Sequence, residues 1–231
     1  CEKRILFVFM IKRGTLTEPT GLWLVDKPYK KSSFWAVHVL RKLTSIKKIG
    51  HAGTLDPLAT GLLLVLVGKE YTRQADSFLK LDKEYELEIT FGANSSTDDL
   101  EGEMTKVSSR QPSLKEVEAA IQQLTGQIMQ TPPIYSAMKV GGQRAYKLAR
   151  QGASVELQPR PVEVYSWADM CYDYPILKAT VAVSSGTYIR SLARDMGEIL
   201  GTGAYLSALR RTKIGEYGVQ DAVGLENLLS I

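Results

Sequence analysis

The sequence predicts one α+β domain with a mixed, mostly antiparallel sheet flanked by helices. Apolar and polar residues alternate cleanly at 83–91 and again at 177–183, which is typical of half-buried strands. Helical patterns fall irregularly between the strand patterns, not in a regular strand–helix–strand order. No internal repeat or low-complexity linker divides the chain, and 231 residues are enough for a sizeable core.

The first half of the chain predicts two further strands and one helix. Residues 21–25 form a short apolar run that ends before a proline, which indicates a strand followed by a turn. Ser32 or Ser33 can cap a helix that continues to about residue 43. The continuous apolar run 62–67 predicts a buried strand. The apolar face of the helix is expected to comprise Phe34, Val37 and Leu40.

The second half predicts three helices around the strand at 177–183. Residues 113–116 fit a capping box, and the helix they begin should end at Gly126. Residues 146–151 indicate another short helix, and 188–200 a longer one. A final apolar stretch lies at 223–229. The stripe expected on the first of these helices is Leu114, Val117, Ile121 and Leu124.

Composition places the chain among ordinary globular proteins. Hydrophobic residues make up 44% and charged residues 23%. Cys1 and Cys171 are the two cysteines, and because Cys1 is terminal we expect no disulfide and a reducing, cytoplasmic location. No Cys/His cluster has zinc-site spacing, so no metal is expected. The apolar run 5–11 is too short to cross a bilayer. We treat 1–19 as an N-terminal extension and 20–231 as the folded domain.

The distribution of charge is more informative than the net charge of +4. Acidic residues concentrate in 82–103, whereas basic residues form separate clusters with tyrosines among or near them. Basic groups interleaved with aromatic rings suit a nucleic-acid surface, because the charges hold phosphates and the rings stack on bases. Solvated lysines with core tyrosines explain the pattern equally well. The clusters are Lys27/Lys30/Lys31, Arg41/Lys42/Lys47/Lys48, Lys139/Arg144/Lys147/Arg150 and Arg210/Arg211/Lys213.

The segment Gly50-His51-Ala52-Gly53-Thr54-Leu55-Asp56-Pro57-Leu58-Ala59-Thr60-Gly61 carries the strongest functional signal. It places one carboxylate, Asp56, in a glycine-flanked loop before the buried strand 62–67. The proline after Asp56 disfavours helix and favours a turn. Carboxylates on loops held by a rigid strand are frequent catalytic groups. From this local pattern alone, an aspartate that merely stabilises a turn is also possible.

Three other residues are candidates for the same functional site as Asp56. Arg190 lies near the start of a helix that Thr187 could cap, where a cation opposes the helix dipole unless an anion neutralises it. Asp56 could be that anion, although Arg190 could also contact only solvent or an RNA phosphate. Tyr85 lies on the apolar face of its strand, which indicates a core tyrosine. His51, framed by glycines, could stack on a base or be merely solvated.

Several reaction classes are excluded by what the sequence lacks. It contains no glycine-rich phosphate loop, dinucleotide fingerprint, zinc-deaminase pattern or serine nucleophile elbow. Cofactor-free chemistry on a polymeric substrate remains.

Taken together, the motifs resemble the TruB family of tRNA pseudouridine synthases. The Asp56 segment resembles the family's catalytic motif, and further blocks follow in family order over roughly residues 20–231. Two positions depart from the pattern, because Lys30 stands where the family usually has glycine and Ser96 where it has aspartate. Those blocks are Lys27-Pro28 with Ser32-Ser33; Lys83 to Tyr85; Gly92 to Thr97 with Asp99 and Gly102; Thr131 to Lys139; Tyr146 to Gly152; Gly186 to Arg190; and Leu209 to Thr212.

The resemblance implies the pseudouridine synthase catalytic fold and conversion of uridine 55 in the tRNA T-loop to pseudouridine, without cofactor or metal. Asp56 would be the catalytic aspartate acting on a flipped-out uridine, by attack at C6, attack at C1′ or removal of a sugar proton. Arg190 would pair with it. Tyr85 would stack on the target base and share in proton transfer. Because the chain ends soon after the last block, no C-terminal PUA-type domain is expected.

The resemblance also implies a set of binding residues. His51 would fill the space that the flipped base leaves, and Asp99 would form a structural pair with Arg150. The pocket would be lined or shaped by Tyr188, Leu209, Lys27 and Pro28. Further RNA contacts would come from Lys139, Arg150, Arg210 and Arg211.

The implied partner is the T-arm of tRNA, with no membrane, no obligate protein partner and a monomeric state. Three alternatives remain at this point. A non-catalytic RNA chaperone would need neither Asp56 nor Arg190. A guide-RNA-dependent synthase would act inside a multiprotein particle. An unrelated hydrolase would require a second carboxylate in a matching motif.

Overall fold

The computed structural model describes residues 13–136, 138–140, 142–145, 148, 151 and 157–226. The chain forms two compact units. The first runs to Glu84 and resumes at Arg210, and the second comprises Tyr85–Leu209. The domain boundary expected between residues 19 and 20 stays a prediction. Within the first unit the backbone N–H of Gly14 donates to the carbonyl of Leu22 at 3.0 Å.

The first unit is built around strand β3, Thr60–Val67, whose residues after Thr60 are all buried. Strand β1, Gly21–Lys27, pairs antiparallel with it along its length. Strand β2, Ile49–Ala52, pairs antiparallel with its second half. Since β1 occupies one edge of β3, β2 must lie on the other. This central position explains why the sequence of β3 is an uninterrupted apolar run.

Beside the start of β3, the end of another strand takes the place of β2. Arg210 and Arg211 pair in parallel register with Thr60 and Gly61. A Cβ atom on Gly61 would lie 2.3 Å from the carbonyl oxygen of Arg211, so this close backbone approach requires glycine. The loop that contains Asp56 therefore joins two strands that are both held in the sheet.

The helices of the first unit are α1, Ser33–Thr44, and the short α2, Lys69–Thr72, and α3, Ala75–Leu79. The Ser32 side chain accepts a hydrogen bond from the Trp35 N–H, which confirms the predicted cap. The assignment of Phe34 to the apolar face is wrong, because its side chain is 58% exposed. The buried face is instead set by Ser33, Ala36, Val37, Val39 and Leu40.

The core of the first unit lies between this sheet and α3. Tyr217 belongs to strand β13, Tyr217–Gly218, and the centre of its ring lies 6.1 Å from that of Phe78 in α3. A short 3₁₀ helix, Val219–Asp221, follows β13. The cluster comprises Leu22, Leu24, Ala52, Leu62, Leu64, Leu66, Phe78, Ile214 and Tyr217.

The second unit contains a larger set of strands and two longer helices. The helices are α4, Leu114–Gln123, and α5, Ile189–Leu200. The strands from β4 to β13 are β4, Lys83–Phe91; β5, Ala93–Ser95; β6, Met104–Lys106; β7, Gly126–Gln130; β8, Lys139–Val140; β9, Gln143–Arg144; β10, Arg160–Asp173; β11, Ile176–Val183; β12, Ala204–Ile214; and β13, Tyr217–Gly218.

Strands of the second unit follow the order β12-β4-β11-β10-β7, with β10 antiparallel to both neighbours. Strands β4 and β12 also contribute their ends, Lys83–Glu84 and Arg210–Ile214, to the first unit. The predicted α+β class with a mixed, mostly antiparallel sheet is confirmed. The alternation predicted for residues 83–91 and 177–183 is confirmed in β4 and β11, whose odd-numbered residues are buried.

Two of the three helices predicted in the second unit, α4 and α5, are confirmed, with two corrections. Ser113 and Glu116 form the predicted capping box, but Leu114 is exposed because it lies in the first turn, before the buried face begins. Helix α5 begins after Tyr188, and Thr187 does not cap it. The Thr187 hydroxyl lies 3.3 Å from the Ser184 hydroxyl instead.

Some predictions fall on residues outside the described part. Most of the predicted helix at 146–151 lies there, as does the stretch 227–229. Leu225, just before that stretch, is fully buried. Across the described residues, no helix combines the length and apolar character needed to cross a membrane.

Candidate active site

Asp56 lies in the loop between β2 and β3 and is partly exposed between two buried neighbours, Leu55 and Ala59. The Ala59 N–H donates to the Asp56 carbonyl at 3.1 Å, which closes a turn. The side chains of Leu55 and Ala59 anchor this turn in the core. The carboxylate therefore has a rigid mount and an accessible position.

Lys27 stabilises the Asp56 loop through hydrogen bonds from its buried ammonium group. It is fully buried, and its Nζ donates to the carbonyls of Pro28 at 3.0 Å, Lys31 at 2.6 Å and Pro57 at 3.3 Å. Burial lowers the pKa of Lys27 to about 8, while the charge of Asp56 opposes that shift and the charge of Arg211 adds to it. At neutral pH a buried positive charge is thus held next to the Asp56 turn.

Ser33 ties the first turn of α1 to the residue before Asp56. Its hydroxyl donates to the Leu55 carbonyl at 3.0 Å and accepts from the Leu55 N–H at 2.8 Å. The Lys30 N–H donates to the Pro57 carbonyl at 2.9 Å. Both residues that flank Asp56 in sequence are therefore hydrogen-bonded to the segment 30–33.

Arg211 supports the other end of the loop. It is 1% exposed, and its guanidinium donates to the carbonyls of Leu62 at 2.7 Å and Gly53 at 3.0 Å. An RNA phosphate cannot reach a guanidinium this buried in this conformation. Arg211 of β12 therefore links β3 to the first residue of the Asp56 loop, and it does not lie on the surface.

Two further predicted site residues, His51 and Arg210, lie near Arg211: its charge acts on His51, and Arg210 precedes it in the chain. Burial, and secondarily the charge of Arg211, lower the pKa of His51, so its ring is neutral at pH 7. No hydrogen-bond partner for its buried Nδ1 atom occurs within the described part of the chain. Arg210 forms a two-pronged pair with the Asp26 carboxylate, at 3.1 and 2.8 Å.

Arg190 is a buried charged residue of the second unit. It lies in the first turn of α5, is 6% exposed, and donates to the carbonyls of Thr97 at 3.1 Å and Tyr135 at 2.9 Å. Its Nε lies 3.7 Å from a carboxylate oxygen of Asp99. A buried cation at a helix N-terminus thus has an anion close by, as the helix-dipole argument requires. The pairing with Asp56 stays a prediction.

Asp99 is fixed by its own loop. Its Oδ1 accepts from the Thr97 hydroxyl at 2.6 Å and from the Glu101 N–H at 2.9 Å. The expected partner, Arg150, lies outside the described residues. Lys139 falls in strand β8, opposite Arg144. The roles of Lys139 and Arg150 in RNA binding remain predictions.

The remaining predicted pocket residues also lie in the second unit. Tyr85 is buried on the apolar face of β4, as the alternation indicates, and Leu209 is half-buried in β12. Tyr188 is held by Gln130, whose side chain accepts from its N–H at 2.8 Å and donates to its carbonyl at 3.1 Å. The first unit holds Lys27, Pro28, His51, Asp56, Arg210 and Arg211, and the second Tyr85, Tyr188, Arg190 and Leu209.

Two residues that contact Tyr188, Gln130 and Arg160, were not among the predicted site residues. The Arg160 guanidinium lies 5.1 Å from the centre of the Tyr188 ring and donates to the Gly186 carbonyl. Neither residue belongs to a pattern that could be read from sequence, because each contacts Tyr188 from a strand that is distant along the chain.

Two family models match the chain. The model described as "TruB family pseudouridylate synthase (N terminal domain)" matches residues 41–189, and "tRNA pseudouridylate synthase B C-terminal domain" matches 190–231. Among relatives, tRNA pseudouridine synthase B of Chlamydia pneumoniae is 43% identical over 203 residues, which are 88% of this chain and 86% of that protein. The protein of the same name from Protochlamydia amoebophila is 43% identical over 219 residues, 94% of this chain and 83% of that protein.

Similar folds occur among solved structures. The chain resembles one in a Cbf5-Nop10-Gar1 complex, with a TM-score of 0.69 and 26% identity over 90% of this chain and 53% of that one. A chain in an H/ACA RNP bound to a substrate RNA containing 2′-deoxyuridine gives a TM-score of 0.66 and 25% identity, over 90% of this chain and 52% of that one. This chain thus spans about half the length of those two.

Proposed function

The chain belongs to the TruB family of pseudouridylate synthases, and we propose that it isomerises uridine 55 to pseudouridine in the T-loop of tRNA. The relatives named tRNA pseudouridine synthase B cover most of the chain, which supports tRNA as the substrate. The observation that carries the proposal is the set of hydrogen bonds that fixes the loop containing Asp56. Its loop is held by Lys27, Ser33 and Arg211, which leaves the carboxylate at an accessible turn.

The reaction needs no group beyond the protein and the RNA. The N1–C1′ bond of the nucleotide breaks, the uracil turns within the site, and a C5–C1′ bond forms. The proton on C5 leaves and N1 regains one, so the product is an isomer of the substrate. Asp56 is the group that acts on the uridine.

The target uridine must leave the loop stack before it reacts, at a cost of a few kcal/mol. A neutral His51 ring suits the role of filling the vacated space, because a neutral aromatic ring stacks on bases without needing a phosphate partner. Tyr85, Tyr188 and Leu209 supply ring and aliphatic surface for the base. For Arg190 we propose the role that the family resemblance implies, which is to pair with the Asp56 carboxylate.

Replacement of Asp56 by asparagine tests the proposal. Asp56→Asn should abolish tritium release from 5-tritiated uridine in a T-arm hairpin while the protein still binds the hairpin, because the amide keeps the shape and loses the charge. The matched control is Asp76→Asn, which changes an exposed carboxylate of α3 in the same unit and should keep wild-type turnover. Turnover that survives Asp56→Asn would refute the catalytic assignment.

Structural similarity to chains of H/ACA particles keeps a guide-RNA-dependent synthase as a second candidate. The two functions are separated by the same assay. Tritium release by the isolated chain on a free T-arm hairpin supports the proposed function. Release that requires an added guide RNA or added proteins would favour the second.

A further inference from the structure

Residues 27–55 form a segment of one charge sign. They contain seven Lys and Arg residues and no Asp or Glu. Removing those seven charges from the net charge of +4 leaves −3 for the rest of the chain. The positive charge of this protein is therefore concentrated in one segment of the first unit, which is the electrostatic pattern of a nucleic-acid footprint.

One side of this segment combines cations with exposed aromatic rings. Of these cations, Arg41 is half-buried and donates to the Ile49 carbonyl at 3.4 Å. The Lys30 ammonium lies 5.4 Å from the centre of the Tyr29 ring, and the Arg41 guanidinium lies 5.4 Å from that of Phe34. Tyr29 is 50% and Phe34 58% exposed. We call this the basic–aromatic face, which comprises Tyr29, Lys30, Lys31, Phe34, Arg41 and Lys42.

Core packing does not explain these rings. The buried side of α1 is complete without Phe34, since Ala36, Val37 and Leu40 are each at most 1% exposed. A half-exposed ring next to a guanidinium offers the two features that hold an unpaired base, a flat surface and a nearby positive charge.

The backbone of Lys30 is a second, independent indication. Its φ is +61°, in the left-handed region that glycine occupies without strain. The residue at this turn must supply its N–H to the Pro57 carbonyl, and glycine would do so equally well. A lysine here is strained and gives an exposed cation in return.

The face adjoins the Asp56 loop within the same unit. Lys30 and Ser33 are hydrogen-bonded to Pro57 and Leu55, the two residues on either side of Asp56. An RNA whose uridine lies at Asp56 therefore has its neighbouring nucleotides close to this face.

We propose that the basic–aromatic face binds the RNA backbone next to the target uridine, with Lys30 on a phosphate and Phe34 stacked on an unpaired base. The proposal rests on the proposed function for the identity of the RNA. Beyond that function, it states that two residues outside the pocket increase the affinity for RNA, Lys30 through its charge and Phe34 through stacking.

Titration of a T-arm hairpin at several salt concentrations separates the two contributions. Lys30→Gly should raise the Kd three- to tenfold at 0.1 M salt and reduce the slope of log Kd against log salt by roughly one, because one phosphate contact is lost. Phe34→Ala should raise the Kd about fivefold or more and leave the slope unchanged, since stacking releases no counterion.

Two control variants match these changes. Ser45→Gly replaces another left-handed residue of the first unit, with φ of 57°, and removes no charge. Leu79→Ala removes an exposed apolar side chain from α3 in the same unit. Both should keep the wild-type Kd and slope. Lys30→Gly should also unfold at no lower temperature than wild type, because glycine relieves the strain.

The outcomes distinguish this proposal from the function on which it rests. If wild type releases tritium but Lys30→Gly keeps both Kd and slope, the face is overturned and the proposed function stands. If wild type binds the hairpin without turnover, the function fails, while the slope still decides the face. Binding of each variant to phosphatidylserine vesicles is measured as well. If Lys30→Gly and Phe34→Ala bind the hairpin as wild type does but lose binding to the vesicles, the RNA assignment is overturned in favour of a membrane surface.

Discussion

At the scale of single residues, Lys27 shows how a buried charge can stabilise a loop, here the loop that contains Asp56. Among the described residues its Nζ donates to three backbone carbonyls, one of them from the residue that follows Asp56. Desolvation makes such a cation costly, and that cost appears as the lowered pKa of about 8. In the folded protein, Lys27 therefore loses the charge that stabilises the loop as the pH rises above about 8.

The lowered pKa predicts a pH-dependent stability. Between pH 8 and 10.5 the unfolded chain keeps the Lys27 proton and the folded chain loses it. The free energy of unfolding should thus rise through this window by roughly 1 kcal/mol per pH unit. Below pH 8 both states are protonated and this contribution is flat.

Denaturant titrations of wild type and Lys27→Met between pH 7 and 10 measure this slope. The variant should lack the Lys27 contribution. Lys83, whose pKa burial also lowers to about 8, provides a second test through Lys83→Met. An identical slope in wild type and both variants would contradict the shifted pKa values.

Replacement of Arg190 by lysine keeps the positive charge but should still reduce turnover. Lysine cannot donate at once to the Thr97 and Tyr135 carbonyls with the planar geometry of a guanidinium. Arg190→Lys should reduce single-turnover tritium release by about 10²-fold through misplaced catalytic groups. Hairpin binding should change much less.

Arg110→Lys is the matched control, because Arg110 also donates to a backbone carbonyl of the second unit, that of Leu200. It should keep the wild-type rate. A normal rate in Arg190→Lys would show that a positive charge alone suffices at this position. Circular dichroism of each variant reports whether the fold persists.

At the scale of elements, the Asp56 loop depends on how closely β3 and β12 approach each other. Gly61 and Gly53 both have left-handed backbone, with φ of +95° and +87°. A Cβ atom at Gly53 would lie 3.5 Å from the Arg211 side chain, which is ordinary contact, whereas at Gly61 it would meet Arg211 backbone at 2.3 Å. The same substitution thus tests strain at one site and a backbone clash at the other.

Gly53→Ala should lower the free energy of unfolding by about 1 kcal/mol, from the left-handed conformation alone. Gly61→Ala should lower it by about 3 kcal/mol or more, because β3 and β12 must move apart. Urea unfolding of the two variants measures the difference. Equal losses would contradict the close parallel pairing at Thr60 and Gly61.

At the scale of the whole molecule, the segregation of charge predicts strong salt dependence. A net charge of +4 is modest, but the segment 27–55 concentrates the basic residues. Affinity for a T-arm hairpin should fall about tenfold or more between 50 and 200 mM salt. The thermal midpoint of the protein should stay nearly constant over this range. A flat affinity would exclude a surface that contacts several phosphates.

Local patterns were sufficient for much of the fold. The capped starts of α1 and α4 and the alternation of β4 and β11 depend on neighbours within a few residues. Strand β10 was not predicted, because its burial does not alternate and its register with β11 shifts twice. Phe34 was misplaced because a helical apolar stripe does not show which side the tertiary contacts cover.

By itself, the sequence determined which chemistry is available: a carboxylate in a glycine-framed loop before a buried strand, and a cation at a helix start. Only the tertiary structure decided what surrounds them. Arg211 braces the Asp56 loop through Gly53, 158 residues away along the chain, and Asp99 lies against Arg190 from another loop. The physical reason is range, because capping and alternation act between near neighbours, whereas burial and the partners of a buried charge are set by segments that meet only in the folded chain.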